Sequence, residues 1–320
     1  MEESLPENRP PAEPPMYRAA EPRVRTVLLT QFGLCILCVG VYQIISMMVG
    51  WDEAPMLTAD APAAERWQTR LQLGLGQFFA FVLAGFLTIW LFYRNITRSG
   101  PDWRDYLRVR HWPGASTIGL TVLLMAVSLP LVLFLLNVNQ LVPFPEPFKM
   151  AEEQTTEMLK GLLNMEHWSE FVANLILIAL LPAVGEEIVF RGVVQQQLMR
   201  RIANPWVALT VSAAVFSFFH FQFEGFLPRL LLGFLLGWLY WKTQNFWVPA
   251  LAHFFNNGIQ VVGQYLYGKE VSAIDLEQDI QVPWFFAAIS AFMVFVTMRV
   301  VHQMVDGTRQ ADLEHQNVEP

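Results

Sequence analysis

TIGLTVLLMAVSLPLVLFLL, running from Thr117 to Leu136, contains no charged side chain. A stretch of this kind reaches the roughly 20 residues that a helix needs to cross about 30 Å of hydrocarbon. That layer holds no water to satisfy backbone N–H and C=O groups, so only a helix or a closed barrel can span it. A barrel strand alternates apolar with polar side chains, and this run does not. It therefore reads as a transmembrane helix. Val27 to Gly50 and Leu71 to Tyr93 read the same way, again without a charge. Charged residues make up only 15% of the chain and apolar ones 54%, against about 25% charged in a soluble domain. The composition is that of an all-α, polytopic membrane protein.

Less uniform apolar blocks follow at Phe171 to Gly185, Trp206 to Phe221, Leu230 to Trp241, Trp247 to Tyr267 and Trp284 to Met298. With the first three they make about eight transmembrane helices, the fourth expected to run on past Arg191. Four regions result: a Pro- and Glu-rich disordered tail over 1–25, N-terminal spans with an amphipathic loop over 26–167, a second set of spans over 168–301, and a polar tail over 302–320. Within the loop, Lys149 to Leu163 spaces Met150, Met158, Leu159 and Leu162 among charges, as a helix lying in the membrane interface would. The first apolar block is longer than the h-region of a signal peptide and is expected to stay as an anchor.

The second loop carries Arg94, Arg98, Arg104, Arg108 and Arg110, whereas the first has Arg66 and Arg70. The excess of cations places the second loop, and with it both termini, on the cytoplasmic side of a cell membrane. The net charge of −7 sits largely in termini and loops, where it reads as solvation, and no nucleic-acid partner is expected. The expected partners are the lipid bilayer and a peptide or protein at its surface. Cys35 and Cys38 form a C-x-x-C within the first span, where packing is the simpler reading than metal or redox chemistry. Trp241, Trp247 and Trp284 read as interface anchors.

An ionisable group in hydrocarbon costs at least a few kcal/mol and usually faces a cavity where it does something. The second half of the chain has such groups in three clusters: Glu186, Glu187 and Arg191; His220; and His253 with Asn257. Residues four apart share a helix face, so Glu187 and Arg191 can pair while Glu186 points to another sector and is left free. His253 and Asn257 are likewise four apart and project together. A carboxylate, two imidazoles and an amide at one buried site can bind a metal or activate water. For peptide hydrolysis Glu186 would take the water's proton, His220 would hold the same water, and His253 with Asn257 would receive the oxyanion.

These residues, Glu186-Glu187 with Arg191, Phe216 with His220, and His253 with Asn257, resemble in order the E-E-x-x-x-R, F-x-x-x-H and H-x-x-x-N motifs of the CAAX-protease and bacteriocin-processing (CPBP, or Abi) family of intramembrane peptidases. The likeness runs over roughly Phe171 to Tyr267, and the N-terminal spans carry no motif. It implies an eight-helix fold, cleavage of a prenylated CAAX-type or small peptide near the membrane, Glu186 and His220 as the water-activating pair, and His253 with Asn257 as the oxyanion site. It also favours a bacterial-type plasma membrane. It leaves the metal open: H-E-x-x-H is absent, yet Glu186, His220 and His253 could form a three-ligand zinc site. A metal-free site is the favoured expectation.

Plainer roles stand beside these. Glu187 with Arg191 reads as a structural pair. Glu224 either orients His220 or is a solvated loop carboxylate, the latter preferred. Asn256 reads as packing or as a helix–helix hydrogen bond. Ser212 and Ser217 lack triad spacing. At the level of function, a non-catalytic scaffold, immunity or regulatory protein of the same fold is the alternative to an endopeptidase. A proton-relay transporter would spread its polar groups through both halves, which this chain does not.

Overall fold

The computed structural model describes residues 22–51, 57, 61–94, 102–271 and 281–318. The tail expected to be disordered over 1–25 lies outside them up to residue 21, as does Arg98 of the charge count. Every element among the described residues is a helix. In chain order these are α1 (Val24–Met48), α2 (Ala63–Tyr93), α3 (Trp103–Leu107), α4 (Ala115–Gln140), α5 (Glu146–Leu163), α6 (Trp168–Arg201), α7 (Pro205–Phe218), α8 (Phe226–Thr243), α9 (Trp247–Val271) and α10 (Trp284–Val318).

Five of them, α1, α2, α4, α6 and the 284–308 part of α10, are long and apolar enough to cross a membrane. Helix α7 is apolar but shorter, and α8 and α9 carry polar side chains such as Arg229, His253 and Asn257 that lower their hydropathy. The fold is thus an all-α polytopic membrane protein. Its outward surface is apolar: α1 exposes Leu29, Phe32, Ile36 and Leu37, and α10 exposes Trp284, Phe292 and Phe295. Such a surface suits lipid and would be an aggregation hazard in water.

The two largest buried clusters hold most of the helices together. Leu124, Leu209, Leu235, Trp238, Ala252 and Val294 join α4, α7, α8, α9 and α10. Val27, Ile89, Leu107, Val193, Tyr240 and Phe246 tie α1, α2 and α3 to α6, α8 and the start of α9. Pro130 breaks the hydrogen-bond ladder of α4, and a side chain from α10 repairs it. Ser290 Oγ accepts from Leu131 N at 3.2 Å and donates to Val127 O at 2.5 Å. Small residues bring α2 against α6: a Cβ on Gly85 would lie 2.7 Å from Ile188 Cγ2, and one on Gly185 would lie 3.0 Å from Phe81 Cβ.

Four boundaries differ from the sequence reading. Arg66 and Arg70 lie inside α2 rather than in a loop, and both are buried. Arg70 donates to Glu170 at 2.8 Å, to Asn174 at 2.9 Å and to Leu162 O at 2.8 Å, while Arg66 donates to Glu170 at 3.1 Å and Glu166 at 3.0 Å. Their charge cannot be counted as a loop's, because Glu170 on α6 compensates it. The helix begins at Val24, so the end of the expected tail is already α1. The polar stretch 302–318 continues α10 as helix. The amphipathic helix expected from Lys149 is present and begins earlier, at Glu146.

Candidate active site

Helix α6 carries the first cluster. It contains two wider π-helical turns, Leu175–Leu180 and Ile188–Gln195, on either side of Leu181–Glu187. Such turns detach carbonyls from the regular ladder and recur at functional sites. One freed acceptor is used at once: Ile178 O receives Asn257 Nδ2 from α9 at 3.3 Å. Gly185, pressed on α2, sets the depth at which the next two residues stand.

Glu186 and Glu187 diverge as adjacent helix residues must. Glu187 is fully buried, and Arg191 one turn later is 1% exposed. Arg191 Nε lies 3.0 Å from Glu187 Oε2, off the line of a hydrogen bond, so the pair is held by charge. The guanidinium also donates through Nη2 to Gly233 O at 3.0 Å and sits 4.8 Å above the Phe216 ring. The pairing read from the sequence is present. What the sequence did not show is the other oxygen: Glu187 Oε1 accepts from His253 Nδ1 at 2.9 Å. Glu187 therefore joins the cation on its own helix to an imidazole on α9, and it does more than balance Arg191.

Helix α7 starts where Asn204 caps it, Oδ1 accepting from Trp206 N at 2.9 Å with Pro205 in the first turn. It ends in a turn that presents His220 and then Phe221, whose φ of 54° is left-handed. His220 Nδ1 donates to Phe216 O at 2.9 Å. That nitrogen is thus committed to the backbone and not to Glu224, whose own N–H donates to Glu152 Oε2 at 3.1 Å. The Phe216 ring stands between the two histidines, edge-on, with centroids 4.9 Å from His220 and 6.0 Å from His253.

With both Nδ1 atoms donating outward, both Nε2 atoms face inward, and each lies 3.9 Å from the same oxygen, Glu186 Oε2. That oxygen is buried and has no hydrogen-bond partner in the protein. In the neutral tautomer each Nε2 is an acceptor, so three acceptors converge on one spot. A proton donor between them would satisfy all three. A water molecule, which donates twice, meets the requirement, and the 3.9 Å gaps are too long for direct bonds.

Zinc meets it less well. The donor types suit zinc, but ligand atoms about 2.1 Å from a tetrahedral ion stand about 3.4 Å apart, and here both gaps are 3.9 Å. Among the described residues no group of three or more His, Cys, Asp or Glu is placed to hold a metal ion. Asn257 follows His253 by one turn of α9, and its oxygen accepts from Asn256 Nδ2 at 3.1 Å. Cys35 and Cys38 are free thiols remote in sequence from the cluster, Cys35 donating to Ala80 O at 3.3 Å.

Fold and site together define a polytopic α-helical membrane protein with a carboxylate and two imidazoles gathered inside its helix bundle. Over residues 168–259, which contain every one of the motif residues, the chain matches the family described as Type II CAAX prenyl endopeptidase Rce1-like, so the CPBP resemblance holds for that part of the chain. It is similar to the Bacillus subtilis (strain 168) protein named "Putative membrane peptidase YdiL", 29% identical over 28% of this chain and 36% of that one. It is also similar to "Uncharacterized protein YpbD" of the same strain, 30% identical over 31% of this chain and 50% of that one. A third relative is "UPF0177 protein YxdF" of Lactococcus lactis subsp. lactis (strain IL1403), 31% identical over 24% of this chain and 42% of that one. The matched segments thus span half or less of these relatives' length. No solved structure matches the chain.

Proposed function

We propose that the protein is an intramembrane endopeptidase that hydrolyses a peptide bond of a membrane-associated substrate, either a prenylated CAAX-type peptide or another small peptide. The observation that carries the reading is Glu186 Oε2, buried and unpartnered, with two imidazole nitrogens at 3.9 Å. The family description and the relative named as a membrane peptidase support it. Both termini are assigned to the cytoplasmic side by the Arg-rich second loop.

In the proposed reaction a water lies between Glu186 Oε2 and His220 Nε2. Glu186 takes one of its protons as the water oxygen attacks the scissile carbonyl carbon, and the carbonyl oxygen becomes negative. His253 can donate to that oxygen only when Nε2 is protonated, because Nδ1–H is already directed at Glu187. The resulting imidazolium is stabilised by the Glu187 carboxylate, which Arg191 faces from the other side. Asn257 supplies a second donor through Nδ2. Collapse of the tetrahedral intermediate breaks the C–N bond, and Glu186 returns its proton to the departing amine. Each oxyanion donor is worth about 3 to 4 kcal/mol in such reactions.

The test is cleavage of a membrane-peptide library by purified, detergent-solubilised protein, with metal content measured on the same sample. Glu186→Gln keeps the shape and removes the base. Cleavage by the wild type, its loss in Glu186→Gln, and no stoichiometric metal are the expected results, with His253→Ala and Asn257→Ala lowering kcat more than they raise KM. Stoichiometric zinc would instead make Glu186, His220 and His253 ligands. Absence of cleavage by the wild type would turn the assignment to a non-catalytic scaffold of the same fold.

A further inference from the structure

Asn256 fills a variable position of the H-x-x-x-N pattern, next to its last member. Adjacent residues on a helix diverge by about 100°, so their side chains do not ordinarily meet. Here they do, Asn256 Nδ2 donating to Asn257 Oδ1 at 3.1 Å. Both residues are partly buried on α9. A carboxamide has one acceptor oxygen and two N–H donors. In Asn257 the oxygen is engaged by Asn256 and one N–H by Ile178 O at 3.3 Å, which leaves the second N–H for an oxyanion.

Orientation is what this arrangement controls. Turning a carboxamide by 180° about its last bond exchanges oxygen and nitrogen, and an oxygen aimed at an oxyanion repels it. The bond to Ile178 O is the longer of the two, and it comes from a π-helical turn of another helix. The bond from Asn256 is shorter and comes from the same helix, so it does not depend on how α6 and α9 pack against each other.

We propose that Asn256 is a positioning residue which fixes the carboxamide of Asn257 with its nitrogen available to the reaction, without itself touching the substrate. The inference rests on Asn257 being an oxyanion donor in the reaction set out above. A bond that served packing alone would leave kcat unchanged, and the measurement separates the two roles.

The experiment uses the full chain in detergent and a peptide that the wild type cleaves. Asn256→Ala should lower kcat by about two- to tenfold, the equivalent of one neutral hydrogen bond, with KM unchanged. Asn256→Asp, isosteric but without a donor, should do at least as much, while Asn256→Gln, which keeps the donor, should retain more activity than Asn256→Asp. In an Asn257→Ala background Asn256→Ala should have no further effect, because its target is gone. The same loss in both backgrounds, a change in KM alone, or wild-type kcat in Asn256→Asp would overturn the inference. If Glu186→Gln still cleaves the peptide, the site assignment itself fails. If Glu186→Gln and Asn257→Ala are impaired while Asn256→Asp is not, only the role of Asn256 fails.

Discussion

Replacing Arg191 by methionine removes a cation from a place with no water to take over its work. Arg191 is 1% exposed and faces three groups: Glu187 Oε2 at 3.0 Å, Gly233 O at 3.0 Å and the Phe216 ring at 4.8 Å. Methionine fills much of the volume and supplies none of these. Breaking a buried pair by removing one partner costs about 3–5 kcal/mol, because the other charge stays behind uncompensated. Glu187, at 0% exposure, is that charge. The expected result is a loss of about 3–5 kcal/mol, read as a shift in unfolding followed by tryptophan fluorescence in detergent. Neutralising Glu187 as well, in Arg191→Met/Glu187→Gln, should recover at least half of that loss, since no charge is then stranded. Activity should not recover, because His253 Nδ1 would still have lost its carboxylate. A double variant no more stable than the single one, or an Arg191→Met protein as stable as the wild type, would refute the reasoning. Recovery of activity together with stability would refute the proposed role of Glu187 towards His253.

Gly85→Ala places a Cβ 2.7 Å from Ile188 Cγ2 and 3.0 Å from Val189 Cγ2, an overpacking expected to cost about 1–3 kcal/mol; Gly263→Ala, within a helix and with nothing within 4 Å, should be neutral to stabilising by up to about 1 kcal/mol in the same unfolding assay. Arg110 hydrogen-bonds the Asp105 carboxyl and holds it below its ordinary value of 3.8. The folded value is the lower one, so this contribution is present above the unfolded value and disappears as pH falls through the folded one. The Tm difference between wild type and Asp105→Asn should therefore be constant down to about pH 5 and shrink below the usual carboxylate range. A difference that does not change with pH would contradict the assignment.

Much of the site was legible because helical spacing is local. Glu187 with Arg191 is a four-residue pair, and the His220 to Phe216 contact is the same interval. The free sector of Glu186 follows from the 100° step between neighbours. The bond between Asn256 and Asn257 was not legible, because the same rule gives the direction of a Cβ but not the turn of a side chain beyond it. Arg66 and Arg70 were misplaced because charge alone marks a loop only when no partner is buried with it, and Glu170 lies about a hundred positions further on.

By itself the sequence determined that the chain lives in lipid, that it is helical, and that three polar motifs fall in its second half. Uncharged runs long enough to span hydrocarbon leave the backbone no other solution, and the four-residue spacings fix which side chains share a face. Only the tertiary structure decided that Glu187 reaches His253, that both histidines turn Nε2 towards one oxygen of Glu186, and that Asn257 is held by Ile178. Those contacts depend on how each helix is rotated and slid against its neighbours. Close-packed glycines such as Gly85 and Gly185 set that register, and a periodicity along one helix does not encode it.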